Sequence, residues 1–135
     1  MKLTLILLVC SVVLIGVSKS KLVAAQGILV SGNQVAMMYE EQVQHAIVEG
    51  AGTIIEILQN KPQQRFIVRL ANSQIIHIVH DTELAAPITE LREGDIIEFR
   101  GKYEWTEEGG RLTHTYFDNN EEQSGWLRYH GELFQ

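Results

Sequence analysis

The sequence predicts a mainly β fold: a small five-stranded Greek-key barrel of the oligonucleotide/oligosaccharide-binding type. One N-terminal helix precedes it, and one short helix is expected between strands three and four. Three observations carry this reading. Asp95 to Trp105 alternates without interruption, with Ile97, Phe99, Gly101, Tyr103 and Trp105 on one side and Glu98, Arg100, Lys102 and Glu104 on the other. Successive strand side chains face opposite sides of a sheet, so this is a long strand with one apolar and one charged face. Gly101 at its middle suits the bend of a small closed sheet. The element order, three strands, a connector containing Pro87 and two further strands, is the order of such a barrel.

At the N-terminus, Met1-Lys2 precedes an apolar run from Leu3 to Val17, within the range of a signal-peptide core and short for a membrane-spanning helix. Val23-Ala24-Ala25 supplies small residues for a cleavage site, so residues 1–25 are expected to be removed, leaving Gln26 as the mature start. The chain is then expected to be exported, periplasmic or secreted. Lys19 and Lys21 lie between the run and that site, where positive charge is unusual, and Lys2 alone is a thin basic region. The alternative is a retained anchor formed by residues 3–17, which would place the chain at a membrane. Cys10, the single cysteine, falls inside the run, and Val9 before it is not the small residue that a lipoprotein signal needs. The rest of the chain has no cysteine, so the domain must be held by its core rather than by disulfides.

Residues 26–48 read as linker and helix. Gly27, Ser31 and Gly32 mark the linker, and Gln34 to Val48 contains good helix formers with Asn33 placed to cap them. Gly50-Ala51-Gly52 is expected to end the helix and open a strand-rich body over residues 49–135. Its strands are Thr53 to Leu58, Arg65 to Leu70, Gln74 to His80, Asp95 to Trp105 and Arg111 to Phe117. In the second, Phe66, Val68 and Leu70 point inward and Arg65 and Arg69 outward. Gln59-Asn60-Lys61-Pro62, Ala71-Asn72-Ser73 and Glu107-Glu108-Gly109-Gly110 supply turns. Pro87 fits the first turn of a short helix, Ile88 to Leu91.

The full chain has 11 basic and 17 acidic residues, a net charge of −6. Without Lys2, Lys19 and Lys21, 8 basic residues remain against 17, giving −9. Affinity for a nucleic-acid backbone comes largely from Lys and Arg releasing counterions. The charge therefore favours a protein or glycan partner over nucleic acid.

The residues Gly52-Thr53, Arg65-Phe66-Ile67, Glu98-Phe99-Arg100-Gly101, Tyr103-Glu104-Trp105 and Gly125-Trp126-Leu127 resemble an exported bacterial family, domain of unknown function 3465. The resemblance spans about Val48 to Gln135 and implies the same barrel, with no activity attached. The family pattern implies a His-His-Asp run after the fifth strand, where this chain has Tyr116-Phe117-Asp118. It also implies histidines where Gln63 and Tyr129 stand, with His130 one place late.

No nucleophile with an adjacent base is legible, and no catalytic residue, metal or cofactor is expected. The candidate ligand-binding residues are Arg65, Arg69, His80, Tyr103, Trp105, His114, Tyr116, Asp118 and Trp126. Each has a structural alternative. His80 suits a strand-end hydrogen bond to the turn after it. Tyr103 and Trp105 suit the filling of the barrel, and Trp126 with Tyr129 suits a cap on its end. His77 and His80 point to opposite faces and cannot chelate together, whereas His80 with Asp118 and His114 or His130 would make a two-histidine, one-carboxylate set. Arg69 followed by Asp81-Thr82-Glu83 faintly resembles a calcium-assisted phosphodiesterase such as staphylococcal nuclease. A non-catalytic binding module is the expected function, with such a hydrolase as the alternative.

Overall fold

A computed structural model describes residues 34–135; the expected signal or anchor segment and the expected linker up to residue 33 lie outside these residues. The chain is mainly β. A helical segment, α1, occupies residues 34–40. It is followed by β1 (Gln44–Gln59), β2 (Gln64–Arg69), β3 (Ile75–His80), β4 (Ile96–Glu104), β5 (Arg111–Thr113), β6 (Trp126–Tyr129) and β7 (Glu132–Phe134). All belong to one sheet, ordered β1-β2-β3-β5-β4-β6-β7, and β1 also pairs with β4. Five strands therefore form a ring, β1-β2-β3-β5-β4 and back to β1. Every contact in it is antiparallel except β3 with β5, where His77 pairs Arg111 and Ile78 pairs Leu112.

The helix expected over Gln34 to Val48 ends far earlier. Gln42 takes a φ of 52°, Val43 N–H donates to the Met38 carbonyl at 2.9 Å and Gln42 N–H to that of Tyr39 at 3.2 Å. This is a Schellman stop, which satisfies carbonyls that the helix itself leaves free. From Gln44 the chain is strand, so the strand-rich body begins ahead of position 49. Gly50-Ala51-Gly52 does not interrupt it. A Cβ on Gly50 would lie 2.7 Å from Phe99 Cζ, and one on Gly52 would lie 2.5 Å from the Arg69 carbonyl oxygen and Val68 Cγ1. These glycines mark close approach of neighbouring groups, a recognised use of glycine in a strand.

The expected alternation places the core. Phe66, Val68, Ile76, Ile78, Ile97, Phe99, Tyr103 and Leu112 are all fully buried inside the ring. α1 covers one end. Val35 is fully buried and Met38 packs against the core. The Tyr39 ring stacks on Trp105 at 6.3 Å, and Gln74 Nε2 donates to the Val35 carbonyl at 3.4 Å.

The opposite end is closed without the helix expected at Ile88 to Leu91. Residues 81–95 form turns, and the reason lies in Gln64. Its side-chain amide accepts from Ile88 N–H and donates to the Ile88 carbonyl, both at 2.8 Å. The side chain thus pairs with both backbone groups of Ile88 as a neighbouring strand would, and it holds Ile88 buried. β5 is also shorter than Arg111 to Phe117. His114 adopts a φ of 56°, which takes the chain out of the strand conformation and turns Thr115 inward. Two strands at the C-terminus were not expected. β6 and β7 are joined by His130 and Gly131, with φ of 49° and 78°. Positive φ at both central residues is what a tight two-residue hairpin requires.

Candidate functional site

The outer side of β2 carries two exposed arginines, Arg65 and Arg69, that form no ion pair among the described residues. Alternation sends Arg65, Ile67 and Arg69 outward from β2, and Ile75, His77 and Val79 outward from β3. Register then builds three cross-strand rows: Arg65 beside Val79, Ile67 beside His77, and Arg69 beside Ile75. The parallel contact with β5 adds Arg111 next to His77. A cleft of about 190 Å³ lies between Arg65, His77, Arg111, Thr106 and Glu108. Beyond it, a depression of about 370 Å³ is bordered by Arg69, Thr53, Ser73 and Ile96.

The arginines differ in their commitments. Arg100, Arg111 and Arg128 are ion-paired to Glu49, Glu104 and Glu98. Arg65 donates only to Gln63 Oε1, at 3.2 Å. Among the described residues no carboxylate lies within ion-pair distance of Arg65 or Arg69, and both are exposed.

The other candidate residues are dispersed. Tyr103 lies in the core, fully buried, and its hydroxyl has no hydrogen-bond partner among the described residues. Trp105 is half-buried and holds α1 in place through Tyr39. His80 is fully buried. Its Nε2 lies 2.8 Å from the Ala86 carbonyl, which can only accept, so Nε2 carries the proton and donates. Nδ1 therefore accepts from the Thr115 hydroxyl at 2.7 Å. The expected strand-end hydrogen bond thus reaches Ala86, just past the turn. Burial holds the His80 pKa below its ordinary value of 6.5, keeping the ring neutral with both nitrogens engaged.

His114, Tyr116 and Asp118 gather on the connection after β5. The His114 and Tyr116 rings are 5.3 Å apart, and His114 Nδ1 lies 2.9 Å from Thr113 Oγ1. Burial lowers the His114 pKa, and nearby Lys102 lowers it further. Asp118 is occupied in shaping its own loop, where its carboxylate accepts from Asn120 N–H at 2.8 Å. Trp126 sits on β6, half-buried, with the Arg128 guanidinium 5.1 Å above its ring. Tyr129, expected as a cap, is buried and donates to the Asp95 carboxylate. This bond is the largest influence lowering the Asp95 pKa, and His130 Nε2 adds a second contact at 3.0 Å.

The structure therefore brings Arg65 together with His77 and Arg111, two residues outside the sequence-derived set, and leaves Arg69 in a separate depression at the other end of β2. It leaves His80 remote from Asp118 in bonding terms, and among the described residues no group of three or more His, Cys, Asp or Glu side chains is arranged to hold a metal. Arg69 pairs Ile75 at one end of the β2–β3 hairpin, while Asp81 follows His80 at the other end.

Among the described residues no helix is long and apolar enough to cross a membrane. A family model described as protein of unknown function, DUF3465, matches residues 16–135, and the chain belongs to that family. No curated protein matches the chain.

Proposed function

We propose that this chain is an exported, non-catalytic binding module built on a five-stranded Greek-key barrel of the oligonucleotide/oligosaccharide-binding type. Its ligand lies on the outer side of β2, β3 and β5. The ring order β1-β2-β3-β5-β4, with its one parallel contact between β3 and β5, supports the barrel reading. The apolar run before Val23-Ala24-Ala25 supports export.

One observation carries the binding reading. On a chain with 17 acidic residues against 11 basic, the two exposed arginines Arg65 and Arg69 lie on the same side of one strand, four residues apart, with no carboxylate partner among the described residues. Exposed charges contribute little to folding even when they are paired, and these two are not. Ligand recognition gives them a role. The partner is an anionic protein or glycan rather than nucleic acid, whose dense phosphates the acidic surroundings repel. The phosphodiesterase alternative is weakened by the placement of Arg69 and Asp81 at opposite ends of their hairpin.

Calorimetric titration of the protein with acidic peptides, polyuronate and sulfated glycans, and single-stranded DNA tests this. Binding of at least one anionic peptide or glycan, lost in Arg65→Gln, is expected. Metal-dependent cleavage of a phosphodiester that disappears in Asp81→Ala or His80→Ala would overturn it in favour of the hydrolase.

A further inference from the structure

Resting on that binding face, we infer that the outer side of β2 is a docking track for an extended acidic segment of a partner protein. The segment carries carboxylates at residues i and i+4 and an apolar side chain at i+2. The inference comes from repeat lengths. A strand rises about 3.3 Å per residue, so Arg65 and Arg69 present positive charge about 13 Å apart. An extended peptide has the same rise and the same two-residue alternation. Laid along β2, its side chains at i, i+2 and i+4 meet Arg65, Ile67 and Arg69 in turn.

The surroundings specify each position. Arg65 opens onto the cleft that also holds His77, Thr106, Glu108 and the Glu104-paired Arg111, so the free charge offered there is that of Arg65 itself. Arg69 opens onto the depression with the Thr53 and Ser73 side chains, both able to donate to a carboxylate. The centre is different. Ile67 is half-buried, and Glu56 of β1 pairs beside it in register. A third carboxylate there would meet like charge, whereas an apolar side chain would cover Ile67. The pattern acid, apolar, acid is thus complementary at all three places.

Denser polyanions fit less well. A nucleic acid carries a charge on every nucleotide, so the phosphates lying between those that met the two arginines would face Glu56 and the acidic surface. An aromatic platform of the kind that stacks on sugars or bases is missing from this face, whose outward residues between the arginines are Ile67, Ile75, His77 and Val79.

The test uses short peptides and the full chain labelled with nitrogen-15. One peptide carries Glu-x-Val-x-Glu; a second has the same composition with its glutamates three apart, which puts them on opposite sides of an extended chain. The first is expected to bind and to shift the amide signals of β2 and β3, and the second is not. In Arg65→Gln/Arg69→Gln the first should bind about tenfold more weakly, as loss of two charge pairs at a partly desolvated surface implies. Both arginines are exposed, so the variant folds, and an unchanged unfolding midpoint verifies that. Equal binding of the two peptides, or unchanged affinity in the variant, overturns the inference. If a sulfated glycan or single-stranded DNA binds through the two arginines while neither peptide does, the inference falls and the binding face itself stands. If no anionic probe binds, both fall.

Discussion

Gln64→Leu isolates the polar contact that closes one end of the ring. Gln64 is 2% exposed, and its side-chain amide makes three hydrogen bonds of 2.8 Å: one to Asn60 Oδ1 and two to the backbone of Ile88. Ile88 is itself 3% exposed, so water does not reach its N–H and carbonyl in place of the lost partner. Leucine keeps most of the volume and removes only the amide. Two buried backbone groups are then orphaned, at about 1–3 kcal/mol each, less what leucine regains by burying apolar rather than amide surface. A net loss of about 2–4 kcal/mol follows, against about 5–15 kcal/mol for a whole domain.

Urea unfolding followed by the fluorescence of Trp105 and Trp126 measures it. With a slope of about 1–2 kcal/mol per molar, the midpoint should fall by about 2 M at unchanged slope. A shift below about 0.3 M would refute the reasoning, because Ile88 would then have been satisfied in some other way. Gln64→Glu supplies the control. It keeps the acceptor for Ile88 N–H but places a carboxylate in the floor of the ring. Burial raises a carboxyl pKa, so its deficit relative to wild type should shrink on acidification as the group takes up a proton and regains a donor.

Tyr103→Phe should leave stability unchanged or raise it by about 1 kcal/mol, since the buried hydroxyl has no partner to lose; a thermal-melt decrease would contradict this. Gly52→Ala should cost about 2 kcal/mol or more, because the new Cβ would press on the Arg69 carbonyl oxygen at 2.5 Å where β2 lies against β1, and a mild effect in urea unfolding would show that β1 and β2 can separate. His80 gives a pH dependence whose sign is fixed by its folded pKa lying below the ordinary 6.5. Below that value the unfolded chain binds a proton that the native ring excludes, so its contribution is full above pH 6.5 and is lost as pH falls toward the folded value. Half-buried His114 adds in the same direction. The wild-type midpoint should therefore drop between about pH 7 and pH 5, and His80→Gln should drop less over that window; equal slopes would refute the assignment.

What could be read in the sequence was what alternates within one strand. Phe66, Val68 and Leu70, and again Ile97, Phe99 and Tyr103, lie buried as their spacing requires, and the same alternation turns Arg65 and Arg69 outward. The partners of those arginines were not legible. Arg111 reaches His77 through a parallel contact between strands separated by the whole of β4, and no local pattern encodes such a pairing. The short helix was misread for a related reason. Pro87-Ile88 permits a helix locally, but the Ile88 backbone is claimed by Gln64, a residue distant in sequence. His114 and His130 left no signal either, since a positive φ at histidine is uncommon, though Gly131 after His130 is a usable sign of a tight hairpin.

The glycines of β1 are the instructive case, because the decisive pattern was present and was read in opposite ways. Sequence alternation reads Phe99-Arg100-Gly101-Lys102-Tyr103 as one strand running through its glycine, whereas it reads Gly50-Ala51-Gly52 as a boundary. Yet Val48, Gly50, Gly52 and Ile54 hold the same two-residue period, with the first and last fully buried. Pairing explains why small residues are needed there. Gly50 faces Phe99, Gly52 faces Ile97, and Val48 faces Gly101. Of the large inward side chains of β4, Ile97 and Phe99 each meet a glycine of β1 and Tyr103 meets Ala46, while the glycine of β4 meets a valine, so large and small residues alternate across the two long strands as close packing requires. A glycine that keeps the period of its neighbours is thus a packing position, and one that breaks the period is a turn; that distinction separates Gly50 and Gly52 from Gly94 and Gly131, which have open space around them and positive φ.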